Sequence, residues 1–299
     1  MERFRIIHSH PTTRGRWFAA VMRTFSWIFA WKILRLQKLV FPYLERSELI
    51  APTGTIGCAG AYVCSLYEYE DMSFLLHFLR EGDLFFDVGA NIGWFTVLAA
   101  SERRCRVVAF EPIPKTFSSL KTNVALNEIE ELVTLRNVGV GKEEGMLAFT
   151  SDKDVENCVA VSVDDVTIQV PVATLDIQVT VASKEDSSLP NYPIAVKIDV
   201  EGFETSVLAG AERILDNKEL RVLLVELVGH GVKYGFDENA LRRQLNDKGF
   251  QAYTYDPRRR ELRYVGDDTT QNTLFIRDFD FVQDRIAGAI PFRLFGRDI

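Results

Sequence analysis

The chain has 299 residues, of which 47% are hydrophobic and 26% charged, the balance of an ordinary globular protein. This composition excludes a disordered chain, a collagen-like chain and a small disulfide-stapled domain. The net charge of −7 is uneven, because residues 1–50 hold nine Lys or Arg against three Glu, whereas the remainder holds 26 cationic and 39 acidic residues. Duplex recognition needs a broad basic face, so the acidic body argues against nucleic acid as a partner.

The N-terminal residues 16–41 are basic and aromatic. The apolar residues that would share one face of a helix are Phe18, Val21, Met22, Phe25, Ile28 and Phe29. The longest uncharged run, residues 24–31, is too short for a membrane span, which needs about 20 residues, and no signal-peptide cleavage site follows it. Two interpretations stay open: a helix docked on the body, or a helix lying peripherally in a membrane interface.

Strands and helices alternate from about residue 69 onward. The predicted helices cover 74–80, 95–99, 116–126, 204–215 and 238–248, and the predicted strands are 84–88, 106–110, 132–136, 194–199, 221–227, 251–255 and 273–277. Residues 141–176 are predicted to be β-rich excursions. This rhythm predicts a doubly wound α/β domain that binds ligands at the carboxyl ends of its strands.

The four cysteines have neither CxxC nor zinc spacing; they are Cys58, Cys64, Cys105 and Cys158. We predict reduced, mostly buried thiols and a cytoplasmic protein.

The first strand ends in the motif Asp87-Val88-Gly89-Ala90-Asn91-Ile92-Gly93. Its glycines permit a tight turn in which the backbone approaches a ligand. The spacing is not the GxGxxG of dinucleotide folds, and a carboxylate beside the turn favours a cationic ligand over a pyrophosphate. The motif therefore predicts a cofactor turn of another kind.

The second strand ends at Glu111, followed by Pro112. A carboxylate there can accept hydrogen bonds from both hydroxyls of a ribose. The alternative is a structural acid that caps the next helix.

A third motif runs from Lys197 to Gly202. Strand periodicity places Lys197, Asp199 and Glu201 on one face. Burying three ionisable groups is costly without partners or ligands, so the strand is expected to emerge into a cleft. The alternative is a structural ion-pair network.

Taken together, DVGANIG, VVAFEP, VATLD and KIDVEGFE resemble the FkbM family of S-adenosylmethionine-dependent methyltransferases over about residues 68–277. The resemblance implies the class I methyltransferase (Rossmann-like) sheet, mostly parallel with an antiparallel last strand. We accordingly divide the chain into an N-terminal helical extension (1–67), a methyltransferase domain (68–277) and a C-terminal tail packed on it (278–299).

The resemblance also implies site residues. S-adenosylmethionine would be bound by Asp87, Gly89, Ala90, Asn91, Gly93, Glu111, Asn137 and Val138. Asp199 would face the reacting centre, and the adenine would lie near the turn after the third strand, where this chain departs from the usual pattern. The acceptor implied is a hydroxyl on a glycan, a lipid-linked saccharide or a secondary metabolite.

A hydroxyl acceptor needs a base within hydrogen-bond reach. The catalytic candidates are Asp199 or His230 as base, with Lys197 and Glu201 orienting the acceptor. Carboxylates such as Glu226 could ligate a divalent cation, but no spacing demands one and no metal is predicted. Two alternatives remain: an NAD-dependent oxidoreductase, and a catalytically idle, membrane-recruited binding module. No motif specifies the acceptor or the oligomeric state.

Overall fold

The computed structural model describes residues 10–151, 157–162, 164–266 and 272–299. The helices are α1 (Trp17–Ile28), α2 (Ile56–Cys64), α3 (Tyr69–Phe78), α4 (Trp94–Val97), α5 (Pro114–Leu126), α6 (Leu175–Glu185), α7 (Glu204–Ala209), α8 (Glu212–Asp216), α9 (Glu238–Asp247) and α10 (Phe279–Ala287). Single π-helical turns extend α1 (Phe29–Ile33) and α4 (Leu98–Glu102), and a 3₁₀ helix spans His230–Tyr234.

The strands are β1 (Lys38–Pro42), β2 (Glu48–Pro52), β3 (Leu84–Val88), β4 (Arg106–Phe110), β5 (Val133–Arg136), β6 (Gly139–Val140), β7 (Gly145–Thr150), β8 (Thr167–Ala173), β9 (Ala195–Ile198), β10 (Val222–Glu226), β11 (Gln251–Asp256), β12 (Glu261–Tyr264), β13 (Asn272–Ile276), β14 (Arg293–Leu294) and β15 (Arg297–Asp298).

The central sheet has the order β12-β11-β13-β10-β9-β3-β4-β5. The pairs from β10 to β5 are parallel, and β13 runs antiparallel to both of its neighbours. The chain winds outward in both directions from β3 and β9, so the carboxyl ends of these two strands form the topological switch point. The predicted mostly parallel, doubly wound sheet with an antiparallel last strand is confirmed.

Both faces of this sheet are buried, which explains why its short central strands are largely apolar. Phe85 packs into the core on one face and Phe86 into the core on the other. A strand covered on both sides is apolar at nearly every position, whereas a half-exposed strand alternates.

The structure departs from the prediction in several elements. The hairpin of β1 and β2 lies in the extension that was predicted as helical. Helix α6 begins within the segment predicted as β-rich, and Thr174 caps it by accepting a hydrogen bond from the Ile177 amide. The predicted helix 204–215 is interrupted at Gly210. All four cysteines are free and buried, as predicted.

The N-terminal extension packs on the domain. Ala20, Thr24 and Trp27 are the buried residues of α1, and Trp27 contacts Phe41 edge-on. Asn123 of α5 accepts a hydrogen bond from the amide of β2 residue Ile50. The docked helix that the sequence left as one alternative is therefore present. Across the described ranges, every helix falls short of the length and apolar character that a membrane span requires.

The C-terminal segment lies against the same body. Val282 and Ile286 of α10 are fully buried, and the backbone carbonyl of Ile299 lies 3.2 Å from Nε2 of His77.

Candidate active site

The turn after β3 brings backbone to the edge of the sheet. The amides of Gly89 and Ala90 both donate to the carbonyl of Phe110 at the end of β4. Gly89 has φ +78°, and a Cβ there would lie 1.8 Å from the carbonyl oxygen of Asp199. Only glycine fits this contact, which packs the β3 turn directly against the end of β9.

Glu111 joins two turns. Its carboxylate accepts hydrogen bonds from the amides of Asn91 (3.0 Å) and Ile113 (2.9 Å). Burial raises the pKa of Glu111 to about 7, although these two amides oppose the shift. Each carboxylate oxygen retains a lone pair beyond the amide that it accepts. Glu111 thus shapes the turn and still offers acceptor capacity to a ligand.

Asn137 and Val138 follow β5 and have different surroundings. Asn137 is exposed, and its amide donates to the backbone carbonyls of Glu111 and Pro112. Val138 lies in an apolar cavity beside Val140 and Phe149. The side chain of Asn137 therefore holds the backbone behind Glu111, whereas Val138 offers an apolar wall.

Lys197 is the buried cation of the site. Its Nζ lies 3.0 Å from Asp199 and 3.8 Å from Asp87, and it donates to the carbonyl of Gly89. Burial alone would lower the pKa of Lys197, but the surrounding carboxylates, Asp199 first, raise it above its usual value. Lys197 therefore stays charged and fixes Asp199 in place.

Asp87 is fully buried beneath the turn. One of its oxygens accepts a 2.6 Å hydrogen bond from Thr96, and burial raises its pKa against the opposing charge of Lys197. Asp87 lines none of the three cavities described below, and it contacts Lys197 and Thr96 instead.

The chain leaves β9 in a left-handed turn. Glu201 has φ +56° and Gly202 φ +97°, and a Cβ on Gly202 would lie 2.5 Å from the carbonyl oxygen of His230. Glu204 accepts the amides of Val200 and Gly202 at 3.0 Å each, and burial raises its pKa to about 7. The strand therefore ends before Glu201, and the turn sets the direction of the Glu201 side chain instead of the strand periodicity that the prediction used.

Glu226 and His230 approach from the end of β10. Burial and the charges of Asp199 and Glu201 raise the pKa of Glu226 to about 9. His230 is half-exposed, with Nδ1 3.4 Å from the Glu201 carboxylate. Glu201, Glu226 and His230 each offer a ligand atom within 4.8 Å of the others, so this group could hold a cation.

Sequence reasoning missed a second acidic wall. Asn272 of β13 donates to Glu68 (2.9 Å) and to Asp71 (3.0 Å) at the start of α3. Burial, followed by the charge of Asp199, raises the pKa of Glu68 to about 8, and burial raises that of Asp71 to about 6. The acidic run at residues 68–71 was the available signal, but nothing in it indicates a position beside β9.

Three adjoining cavities follow the carboxyl ends of the strands. The apolar cavity at Val138 shares Gly89 and Val200 with a second cavity that Glu111 lines, here called the ribose-side cavity after the ligand that the sequence predicts for Glu111. The ribose-side cavity in turn shares Gly89, Asn91, Asp199 and Glu201 with a third cavity.

The third cavity, here called the acceptor cavity, has a volume of ≈ 440 Å³, within the range of small-molecule sites. Its other lining residues include Ala90, Glu68 and Glu226. Gly93 and His230 line none of the three cavities.

Residues 87–252 match the model of the methyltransferase FkbM domain. This match covers more than half of the chain, and the chain belongs to that family.

Curated relatives match over shorter stretches. Methyltransferase 1 of Beauveria bassiana is 32% identical over 42% of this chain and 57% of its own length. The 31-O-demethyl-FK506 methyltransferase FkbM of Streptomyces tacrolimicus is 31% identical over 48% of this chain and 66% of its own length. The hexuronic acid methyltransferase AglP of Haloferax volcanii is 28% identical over 54% of this chain and 62% of its own length. The chain therefore spans about three fifths of these relatives. A crystal structure of methyltransferase FkbM from Methylobacillus flagellatus aligns with a TM-score of 0.44 at 15% identity, covering 74% of this chain and 53% of that one.

S-adenosylmethionine is the cofactor of this family, and the residues present fit it. Glu111 presents carboxylate lone pairs that ribose hydroxyls can donate to, and Val138 presents an apolar surface at a cavity of ≈ 20 Å³, which would border a purine without enclosing it. The cavity beyond is lined by Glu68, Asp199 and Glu226 around one buried lysine, and a cationic ligand there would favour the charged forms of Glu68 and Glu226, whose pKa values burial raises.

Proposed function

We propose that this member of the FkbM methyltransferase domain family transfers a methyl group from S-adenosylmethionine to a hydroxyl of a glycan, a lipid-linked saccharide or a secondary metabolite. The observation that carries the proposal is the wall of Gly89, Asn91, Asp199 and Glu201, which the ribose-side and acceptor cavities share. A ligand held by Glu111 and an acceptor in the larger cavity would meet at this wall. When bound, S-adenosylmethionine supplies an electrophilic methyl group on a cationic sulfur.

Asp199 is the proposed general base. Its carboxylate lies at the shared wall and its side chain is 29% exposed, so an acceptor hydroxyl can reach it. Lys197 fixes the orientation of this carboxylate from below. A weak hydroxyl nucleophile would deliver its proton to Asp199 as its oxygen forms the new bond to the methyl carbon, while the carbon–sulfur bond would break and leave its electron pair on the neutral sulfur.

Glu201, which lines the acceptor cavity, is proposed to orient the acceptor, and His230 is proposed to position Glu201 rather than to take the proton. The contact between His230 and Glu201 lies at the rim, and His230 is outside the cavities described above. The names of two relatives specify acceptors of the proposed kinds, a hexuronic acid and an O-demethyl compound.

Incubation with methyl-labelled S-adenosylmethionine and a panel of sugars, lipid-linked saccharides and hydroxylated metabolites tests the proposal. We expect label in at least one hydroxyl compound. Asp199→Asn should slow the single-turnover rate by about 10²–10⁴-fold, and His230→Ala should do so far less. An undiminished rate in Asp199→Asn would remove it as base. S-adenosylhomocysteine binding without transfer to any class would favour the idle module, and preferential binding of NAD would favour the oxidoreductase.

A further inference from the structure

The N-terminal segment carries an apolar surface that the described part of the body leaves uncovered. Its members, here called the apolar patch, are Trp17, Phe18, Met22, Phe25, Phe29, Trp31, Ile33, Leu34, Leu36 and Val40. Trp17, Phe18 and Phe25 are 65, 65 and 62% exposed. Single apolar residues scattered over a surface are normal, whereas exposed apolar residues concentrated in one segment, here residues 17–40, mark an interaction site.

The orientation of α1 is the reverse of an ordinary surface helix, which turns its apolar stripe toward the core. Ala20, Thr24 and Trp27 face the body, whereas Trp17, Phe18 and Phe25 point outward. Thr24 donates its hydroxyl to the Ala20 carbonyl within the helix, so its buried polar group is satisfied. The outward display of the patch is therefore built into a well-packed helix.

Positive charge surrounds the patch. Residues 3–44 contain eight Lys or Arg and neither Asp nor Glu. Lys32, Arg35 and Lys38 are exposed, and none of them forms an ion pair with a described carboxylate. The cations beside the patch are thus available to an anionic partner.

A basic cavity of ≈ 500 Å³ lies at the N-terminal end of α1. The cationic residues that line it are Arg16, Arg258, Arg260 and Arg297. Asp298, the acidic side chain among the residues lining it, lies 3.3 Å from Arg293 in an ion pair. This cavity has the charge and the size to accept a phosphate headgroup.

We infer that the apolar patch inserts into the headgroup–acyl boundary of an anionic phospholipid bilayer. Tryptophan and phenylalanine favour that boundary, and basic residues are attracted to anionic lipid within a Debye length. A second copy of the chain fits this surface less well, because a two-fold contact would bring the cations of one copy toward those of the other.

The patch also adjoins the acceptor cavity. The Trp31 indole nitrogen lies 3.9 Å from the position of a Cβ on Gly54, and Gly54 lines that cavity. Arg23 donates to the carbonyl of Tyr62 in α2, and Gly57 and Ala61 of that helix line the acceptor cavity. A bilayer bound at the patch would therefore lie beside the rim of the acceptor cavity.

Vesicle flotation with the full-length chain tests the inference, using phosphatidylcholine vesicles with and without phosphatidylserine. We expect the chain to float with the anionic vesicles. The double variant Trp17→Ser/Phe25→Ser should partition into the anionic vesicles at least about tenfold more weakly. The double variant Lys32→Glu/Lys38→Glu should lose about fivefold or more in partitioning for each lysine replaced. The matched control is Met146→Ser, because Met146 is 57% exposed on β7 and belongs neither to the patch nor to the lining of the basic cavity.

Unchanged flotation in the Trp17/Phe25 variant, or no binding of the wild type to anionic vesicles, overturns the inference. A dimer that this variant dissociates, without vesicle binding, assigns the patch to a second copy instead. Titration with S-adenosylhomocysteine keeps the two proposals separate. Vesicle binding without cofactor binding would contradict the proposed function alone, and cofactor binding without vesicle binding would contradict only the membrane surface.

Discussion

Replacement of Lys197 by methionine tests whether the buried lysine holds the site together. Its side chain is 5% exposed and lies between Asp87, which is fully buried, and Asp199. Removing one partner of a buried ion pair costs about 3–5 kcal/mol, because the other charge stays buried and unpaired. For a chain of this length, that loss corresponds to a fall in Tm of about 5–8 °C.

The loss should depend on pH in a defined direction. Without Lys197 the pKa of Asp87 rises further, so the folded variant binds a proton that the unfolded chain releases above about pH 4. The free energy of unfolding of Lys197→Met should therefore recover as the pH falls from about 8 to about 5, relative to wild type.

Urea unfolding of the wild type and of Lys197→Met at about pH 8 and about pH 5 measures this difference in the free energy of unfolding. Lys121→Met, at an exposed position of α5, is the control and should change stability by less than about 0.5 kcal/mol. A loss below about 1 kcal/mol for Lys197→Met, or a loss independent of pH, would refute the reasoning.

Three further predictions concern the turn, the acidic cleft and the docked helix. Gly89→Ala should abolish S-adenosylhomocysteine binding in calorimetry and lower stability, since its Cβ would lie 1.8 Å from the Asp199 carbonyl; wild-type affinity would contradict the packing described. Because the pKa of Glu226 is raised to about 9, the folded state holds its proton and stability falls as pH rises toward 9. Glu226→Gln should flatten the dependence of Tm on pH, and the same pH dependence in the variant and the wild type would contradict the raised pKa of Glu226. Trp27→Ala should cost about 3–5 kcal/mol in denaturant unfolding, whereas Trp31→Ala should cost under about 1; equal losses would mean that α1 is not docked through Trp27.

The fold could be predicted because its central strands have an unambiguous signature. Leu84–Val88 and Arg106–Phe110 are short apolar runs that end in a turn motif or an acid, and the structure has these strands at the predicted bounds. Helix α6 was missed because Leu175–Glu185 has a weak apolar period and contains β-branched residues. Tertiary packing, rather than local preference, decides such a segment.

Helical periodicity also identified the apolar face of α1, but not its direction. The amphipathic pattern shows which residues share a face and cannot show whether that face meets the core or the solvent. Here the core accepts the side with Ala20 and Thr24, because small side chains let the helix approach α2, and Trp27 fills the space beside Phe41.

The site was predictable only where its residues follow strands in sequence. Glu111 and Asp199 lie at strand ends and line the cavities as expected. Glu68 comes from α3 and meets Asn272 only because β13 runs beside β10, a contact between residues 204 positions apart. A single sequence carries no local signal for such an encounter.

Calorimetric titration of the full chain with S-adenosylhomocysteine, alongside NAD and the variant Glu111→Ala, tests the central claim most directly. The account predicts a dissociation constant of about micromolar order for S-adenosylhomocysteine, at least about tenfold weaker binding in the variant when its unfolding curve is intact, and no NAD binding. Binding of NAD with equal affinity, or no binding of S-adenosylhomocysteine to the wild type, would contradict the assignment of this cleft.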